Sequence, residues 1–507
     1  MNFKRLIGIL VVIAAALSGC YQPGPGAKEW QASGLTDSER YYIATATPEG
    51  MQAVATDPGV PMLTPTPNNP VVLPTVRAET VQYTVQYGDT LAKIAQQFQV
   101  TVSRLVNENG IANADNLVIG QVLVVPPPVF ELTASDFKII PDSELVNSPS
   151  NAGFDVASFV NSKGGYLSAY SEEVDGVSLT GSQILARVAL EYSVNPRLLL
   201  TMLEYQSGWV TQSHPDEETL TYPMRVKIAW LEGLYLQLNY AADLLNRGYY
   251  LWEINAISAW ILSDNTVVEV NPTINAGTAG VLNLLCDLTT AADWPVATSA
   301  DGVYAVYSGF FGYPFANAYE PMIPDSLAQP ELQLPFNAGD VWSFTSGPHG
   351  GWDSGSAWAA LDFAPPGEAL GCFPSESWVV ASASGKIVYA QDGAVIQDLD
   401  GDGIWQTGWS ILYMHIDSAD RVQVGDYLEA GDPVGHPSCE GGYSTGTHLH
   451  IARRYNGEWI AADGSLPFVM DGWVSSGYGV EYDGYLTKGE MTVEAWDGRS
   501  SINAIQR

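Results

Sequence analysis

Five residues between positions 349 and 450 could do chemistry together: His349, Asp362, His415, His448 and His450. The last two histidines flank Leu449 in the stretch CEGGYSTGTHLHIA. Side chains on a strand alternate faces, so positions i and i+2 point the same way. Both imidazoles therefore stand on one side of a sheet. Zinc catalysis needs three protein ligands and one open position for water, whose acidity the metal raises. A neighbouring imidazole takes a proton from that water or steadies the oxyanion formed by its attack on a carbonyl. His349, Asp362 and the three imidazoles at 415, 448 and 450 supply three ligands with two histidines to spare. Residue types alone leave open which does what, and an isolated HxH pair on a surface strand is the competing reading. The other two histidines, His214 and His436, read as a surface and a loop residue.

From about Leu332 onward the sequence consists of short strands and Gly-rich turns. It contains LQLPF, then SGPH followed by SGSAWAALDF, then YMHID, CEGGYSTGTHLH and YNGEW. This arrangement resembles the lysostaphin-type zinc endopeptidases, in the branch of the beta-lytic metalloendopeptidase and staphylolysin. In that branch the first ligand His precedes the ligand Asp by a long loop, as His349 precedes Asp362. The short-spaced version of the commoner branch is absent, because position 358 is Trp358. The resemblance implies an all-β or β-rich metallopeptidase domain over residues 326–485, with 486–507 as a C-terminal tail. It implies Zn2+ on His349, Asp362 and His450, with acid–base or oxyanion roles for His415 and His448.

An acidic run, Asp398, Asp400 and Asp402 followed by Gly403, resembles the first half of a calcium loop. The twelfth position is Trp409 rather than Glu. The run is either a Ca2+ site at a hairpin tip or a solvated acidic turn.

At 507 residues the chain is too long for one ordinary domain. It carries 21 Lys and Arg against 56 Asp and Glu, a formal charge of −35. Such a surface repels a phosphate backbone, which argues against a nucleic-acid partner. The N-terminus, MNFKRLIGILVVIAAALSGC, has a basic start and an apolar run too short to span a bilayer comfortably. Its end, Leu17-Ser18-Gly19-Cys20, resembles the bacterial lipobox. That implies removal of residues 1–19, acylation of Cys20 and a lipid anchor in the cell membrane. Three cysteines then remain. In an exported protein they suggest one disulfide and one free thiol. Cys372 and Cys439 share the C-terminal domain and are the expected pair. Residues 20–79 are rich in Pro and Thr and read as an extended tether.

Residues 80–127 read as strand, helix, helix, strand. Gly88-Asp89-Thr90 forms a turn and cap, and Leu91, Ile94, Ala95 and Phe98 fall at helical spacing. Tyr83-Thr84-Val85, Gly88-Asp89-Thr90-Leu91, Asn107, Asn109, Gly120-Gln121 and Val125-Pro126 resemble a LysM module. Membership of that family implies binding of N-acetylglucosamine-containing glycans, chiefly peptidoglycan. Residues 128–149 read as a linker, and 150–325 as a mostly α domain in which Asn195-Pro196 opens a helix. Val194 to Trp209 weakly resembles the start of lysozyme-like lytic transglycosylases. The catalytic Glu of that pattern is replaced by Gln206, which cannot donate a proton as a carboxylic acid does. Glu204 lies on another face of the helix, so the resemblance implies an inactive domain.

The expected protein is multidomain: a leader, a tether, a LysM module, a helical domain and a zinc endopeptidase domain. The function this points to is cleavage of peptide cross-links in peptidoglycan. A non-catalytic wall-binding or regulatory lipoprotein on the same fold is the alternative.

Overall fold

The computed structural model describes Leu73 and residues 76–507, except 87–88, 114–116 and 368. The leader, Cys20 and nearly all of the tether lie outside the described residues. None of the described helices is long and apolar enough to cross a membrane. The chain divides into two compact units, one over residues 77–128 and the other over 129–507.

The first unit is the expected strand–helix–helix–strand. Val81–Thr84 pairs antiparallel with Val122–Val125, and the helices Leu91–Phe98 and Val102–Asn109 pack on that ribbon. Leu91, Ile94, Leu105, Leu123 and Val125 form its core. Thr101 caps the second helix, its hydroxyl accepting from the N–H of Arg104. Asn109 ties that helix to the ribbon by donating to the carbonyl of Val124 and accepting from its N–H.

The second unit is built on a nine-stranded antiparallel sheet. Its central strands are Ala394–Asp398, Trp409–Met414, Leu449–Tyr455, Ala360–Ala364 and Val341–His349, in that spatial order. Alternation sorts their residues onto two faces. Leu361, Phe363, Ile411, Tyr413, Leu449 and Ile451 point to one face, joined by Phe336, Trp342 and Phe344 in a core of their own. A small sheet formed by Val469–Met470, Trp473–Ser476, Tyr485–Lys488 and Met491–Glu494 contributes Met470, Trp473, Leu486 and Val493 to that core. Ala360, Ile396, Leu412, Met414 and Ala452 belong to a different core.

That second core also contains the helical region. Its main helices are Val156–Lys163, Gly181–Glu191, Pro196–Ser207, Leu234–Glu253, Ala276–Leu288 and Val303–Phe311. Asn195 and Pro196 open their helix as expected, the Asn side chain accepting from the N–H of Arg197. Gln206 is buried, and the Glu204 carboxylate accepts from the N–H groups of Val210 and Thr211. One thus packs inside and the other caps a turn. Trp405, in the turn between two strands of the sheet, and Trp459 are buried with these helices. Between them lies the guanidinium of Arg454, 3.7 Å from the Trp459 ring centre and 4.9 Å from that of Trp405. Burying Ile396, Leu412 or Met414 is worth about 1.5–3 kcal/mol each. Several such residues approach the whole stability of a domain, about 5–15 kcal/mol. Helices and sheet therefore fold as one body rather than as two beads.

Two expected boundaries change. Residues 128–149 do not form a linker: Ile139, Ile140, Leu145 and Val146 are fully buried, and Leu132–Thr133 pairs parallel with Val267–Glu269. The apolar residues on either side of the Pro-Asp-Ser-Glu turn have a core to enter. Residues 486–507 do not form a tail either. Met491–Glu494 completes the small sheet, and Ala504–Gln506 pairs with Val341–Ser343 at the edge of the large one.

One buried group makes this unit sensitive to pH. Burial raises the Glu458 carboxyl well above its ordinary range, and the charges of Glu253 and Asp142 add to the effect. The folded state favours the neutral form. Its contribution is complete at acid pH and is lost as pH rises through the raised value. Glu458→Gln is therefore expected to raise the calorimetric unfolding midpoint at pH 8 and leave it nearly unchanged at pH 5.

Candidate metal centre

Asp362 and His450 sit directly opposite each other on neighbouring antiparallel strands. Both point to the face that, one pair of residues further along, carries Ala360 and Ala452. His349 ends the next strand, where two irregularities in the pairing with Ala360–Ala364 re-aim it toward them. All three are buried. His349 Nε2 lies 3.0 Å from His450 Nδ1, and each lies 3.2 Å from Asp362 Oδ1.

The tautomers explain why these atoms converge. His349 Nδ1 is 2.8 Å from the Gly347 carbonyl, and His450 Nε2 is 3.1 Å from the Gly351 carbonyl. A carbonyl only accepts, so each of these nitrogens carries the proton. The opposite nitrogens are then bare, and two lone pairs point at one carboxylate oxygen. Asp362 Oδ1 is buried and accepts no well-formed hydrogen bond. With both rings neutral, three acceptors face one another, an arrangement that a cation satisfies. Burial opposes a charge on His349, yet the Asp362 carboxylate prevails and raises its pKa, so the site draws positive charge either way. A tetrahedral zinc with bonds of about 2.0–2.2 Å spaces its ligand atoms roughly 3.3–3.6 Å apart, slightly wider than here. His349, Asp362 and His450 thus fit the metal. With a metal bound, the carbonyls of Gly347 and Gly351 would be the outer partners that orient the two imidazoles.

His415 and His448 share one wall of the same centre, with ring centres 4.4 Å apart. His415 Nδ1 donates to the Glu440 carbonyl and His448 Nδ1 to that of Gly446, which leaves both Nε2 atoms bare. His448 Nε2 is 3.7 Å from Asp362 Oδ2. Burial, helped by the neighbouring His448 and His450, holds the pKa of His415 well below the ordinary imidazole value. Its ring is therefore neutral at physiological pH. His415 also adopts a left-handed backbone conformation, φ +65°, a strain that is concentrated at functional sites. Burial opposes the charge on Asp362, but the histidines around it prevail and keep its carboxyl well below the ordinary range.

All five expected site residues come together. Cys372 and Cys439 form a disulfide, and Cys286 is a free thiol. The bridge ties the loop before His448 to a loop whose Gly371 carbonyl accepts from the N–H of Thr447. Asp398, Asp400 and Asp402 gather with carboxylate oxygens within 4.8 Å of one another. They also cap their own turn: Asp398 accepts from the N–H groups of Asp400 and Gly403, and Asp402 from that of Ile404. Burial raises the Asp398 pKa to about 7. His436 packs against Trp378, with ring centres 4.0 Å apart, and His214 is exposed. Two neighbours were not foreseen. Tyr482, at φ +71°, stacks on the His349 ring at 4.8 Å, and Glu481 lies beside it. The only hint in the sequence was the Gly-flanked run GYGVEYDG, which marks a tight loop.

Three segments of the chain match known families. Residues 83–126 match the LysM domain, 138–324 the LasA N-terminal domain, and 367–462 Peptidase family M23. The M23 match begins beyond Asp362 and so includes neither His349 nor Asp362. Protease LasA of Pseudomonas aeruginosa is 26% identical over 291 residues, covering 54% of this chain and 66% of that protease. The alignment thus spans just under two thirds of its length. Beta-lytic metalloendopeptidase of Achromobacter lyticus is 28% identical over 170 residues, covering 31% of this chain and 42% of that enzyme. Among solved structures, the catalytic domain of lysostaphin from Staphylococcus simulans is 29% identical. It covers 24% of this chain and 87% of its own, with a TM-score of 0.18. The transglycosylase resemblance gives way to the LasA N-terminal match, which spans nearly the whole helical region. The chain thus carries a segment that matches the LysM domain and, after it, one that matches Peptidase family M23, in a region similar to Protease LasA and to beta-lytic metalloendopeptidase.

Proposed function

We propose that this chain is an exported cell-wall hydrolase, anchored by a lipid on Cys20 to the cell membrane and facing the wall. Its reaction is zinc-dependent cleavage of peptide cross-links in peptidoglycan. The observation that carries the reading is the buried Asp362 Oδ1, without a hydrogen bond, with two bare imidazole nitrogens 3.2 Å away. His349, Asp362 and His450 hold the metal. Bound zinc supplies a water of lowered pKa and polarises the scissile carbonyl. His415, neutral and bare at Nε2, takes up a proton there and returns it to the leaving amine. His448 stands next to it, its ring centre 4.4 Å from that of His415. The LysM domain holds the chain on the glycan, which raises the local concentration of cross-links without altering the metal centre.

The test uses the full chain. Wild type is expected to bind one zinc and to release muropeptides with new amino and carboxyl termini. His450→Ala loses both metal and cleavage. His415→Ala keeps the metal and loses about 10²–10⁴-fold in rate. Wild-type protein that holds zinc yet releases no new termini would turn the reading to the wall-binding alternative. Deleting residues 80–127 is expected to reduce co-sedimentation with insoluble peptidoglycan and to leave turnover of a soluble cross-linked peptide unchanged. Equal loss on both substrates would assign the LysM domain a part in the site itself.

A further inference from the structure

The carbonyl that orients His450 belongs to Gly351, on the loop running from His349 to Asp362. Residues of the helical region hold that loop at several points. On the helix Leu234–Glu253, Asp243 Oδ1 accepts from the Gly355 N–H at 2.5 Å. One turn on, Arg247 donates to Ser354 Oγ at 2.9 Å and lies 3.8 Å from the Asp243 carboxylate. Tyr192 donates its hydroxyl proton to Asp353 Oδ2 at 3.0 Å. The fit leaves no slack, since a Cβ on Gly355 would stand 2.0 Å from the Asp243 carbonyl oxygen. Within the loop, Ser356 Oγ accepts from the Trp352 N–H and donates to the Asp353 carbonyl, and the Gly351 N–H donates to the Ala357 carbonyl. On its other side Gly351 rests on the Trp459 ring. Trp459 is itself held by the helical region: its N–H donates to the Tyr250 hydroxyl and its indole N–H to the Tyr192 carbonyl.

We propose that Asp243 is a positioning residue for the metal ligand His450, acting through Gly355 and the loop on the Gly351 carbonyl. In the full chain the helical region then reaches the metal ligand through this loop. Loss of an outer partner of a metal ligand costs about 10–100-fold in metal affinity or activity. A loop freed at Gly355 loses that orientation without any change in the three ligands. The proposal rests on the zinc reading above, since it concerns how tightly that zinc is held.

The experiment compares full-length wild type, Asp243→Ala, Asp243→Asn and Gly355→Ala. The readouts are Zn2+ affinity, by competition with a chromophoric chelator, and amide hydrogen exchange of residues 350–358 in metal-free protein. Asp243→Ala is expected to weaken Zn2+ binding about 10–100-fold and to speed exchange across the loop. Asp243→Asn, which keeps an acceptor for the Gly355 N–H, restores both. Gly355→Ala reproduces the loss from the loop side with the helix untouched, which keeps the test valid if Asp243→Ala folds poorly. Wild-type Zn2+ affinity and unchanged exchange in Asp243→Ala or Gly355→Ala would overturn the proposal. A wild-type chain that binds Zn2+ and cleaves nothing would overturn the peptidase reading instead, while the affinity differences still decide this one.

Discussion

The pairing register that sets His450 opposite Asp362 is the constraint on which the rest depends. In a sheet, a slip of one residue turns every side chain to the other face. Here it would drive an imidazole and a carboxylate in among Phe344, Phe363 and Ile451, and bring those apolar groups to the metal. The cost of burying an unpaired charge defends the register as firmly as the apolar core does. The same register sends Ala360 and Ala452 to the face that carries Asp362 and His450. Their small side chains let the helices come close, so the metal residues and the helical seat are consecutive rows of one surface.

This common surface alters how the helical region should be viewed. It is continuous with the sheet in packing, through Trp405, Trp459 and the enclosed Arg454, and in hydrogen bonding, through the loop after His349. A cut between them would expose Trp405 and Trp459 and take from Arg454 the Glu191 carbonyl to which it donates. The LysM unit has a complete core of its own and needs neither.

What could be read from the sequence was whatever is encoded over short distances. HLH on a strand, the capped helices of LysM and Asn195-Pro196 each declare themselves within a few residues. The long His349-to-Asp362 spacing was legible through its resemblance to a family. Asp243 was not, because it is an ordinary helix residue until Gly355 arrives from more than a hundred positions away. The segments 128–149 and 486–507 were misjudged for a related reason. Neither shows a long periodic pattern, and each is structured by partners far off in the chain, Val267–Glu269 in one case and Val341–Ser343 in the other.

That last pairing bears on the order of events during synthesis. The strand ending in His349 lies between Ala360–Ala364, made almost at once, and Ala504–Gln506, made some 160 residues later. Contacts so distant in sequence form slowly, because a long stretch of chain must be ordered before they bring any gain. Until residues 504–506 emerge, one edge of the first ligand's strand is bare, with Trp342 and Phe344 lacking the cover of Ile505. A nascent chain would therefore carry all five metal-site residues for some time as unfinished structure. The site is complete only when the last strand of the sheet, Ala504–Gln506, has paired with Val341–Ser343.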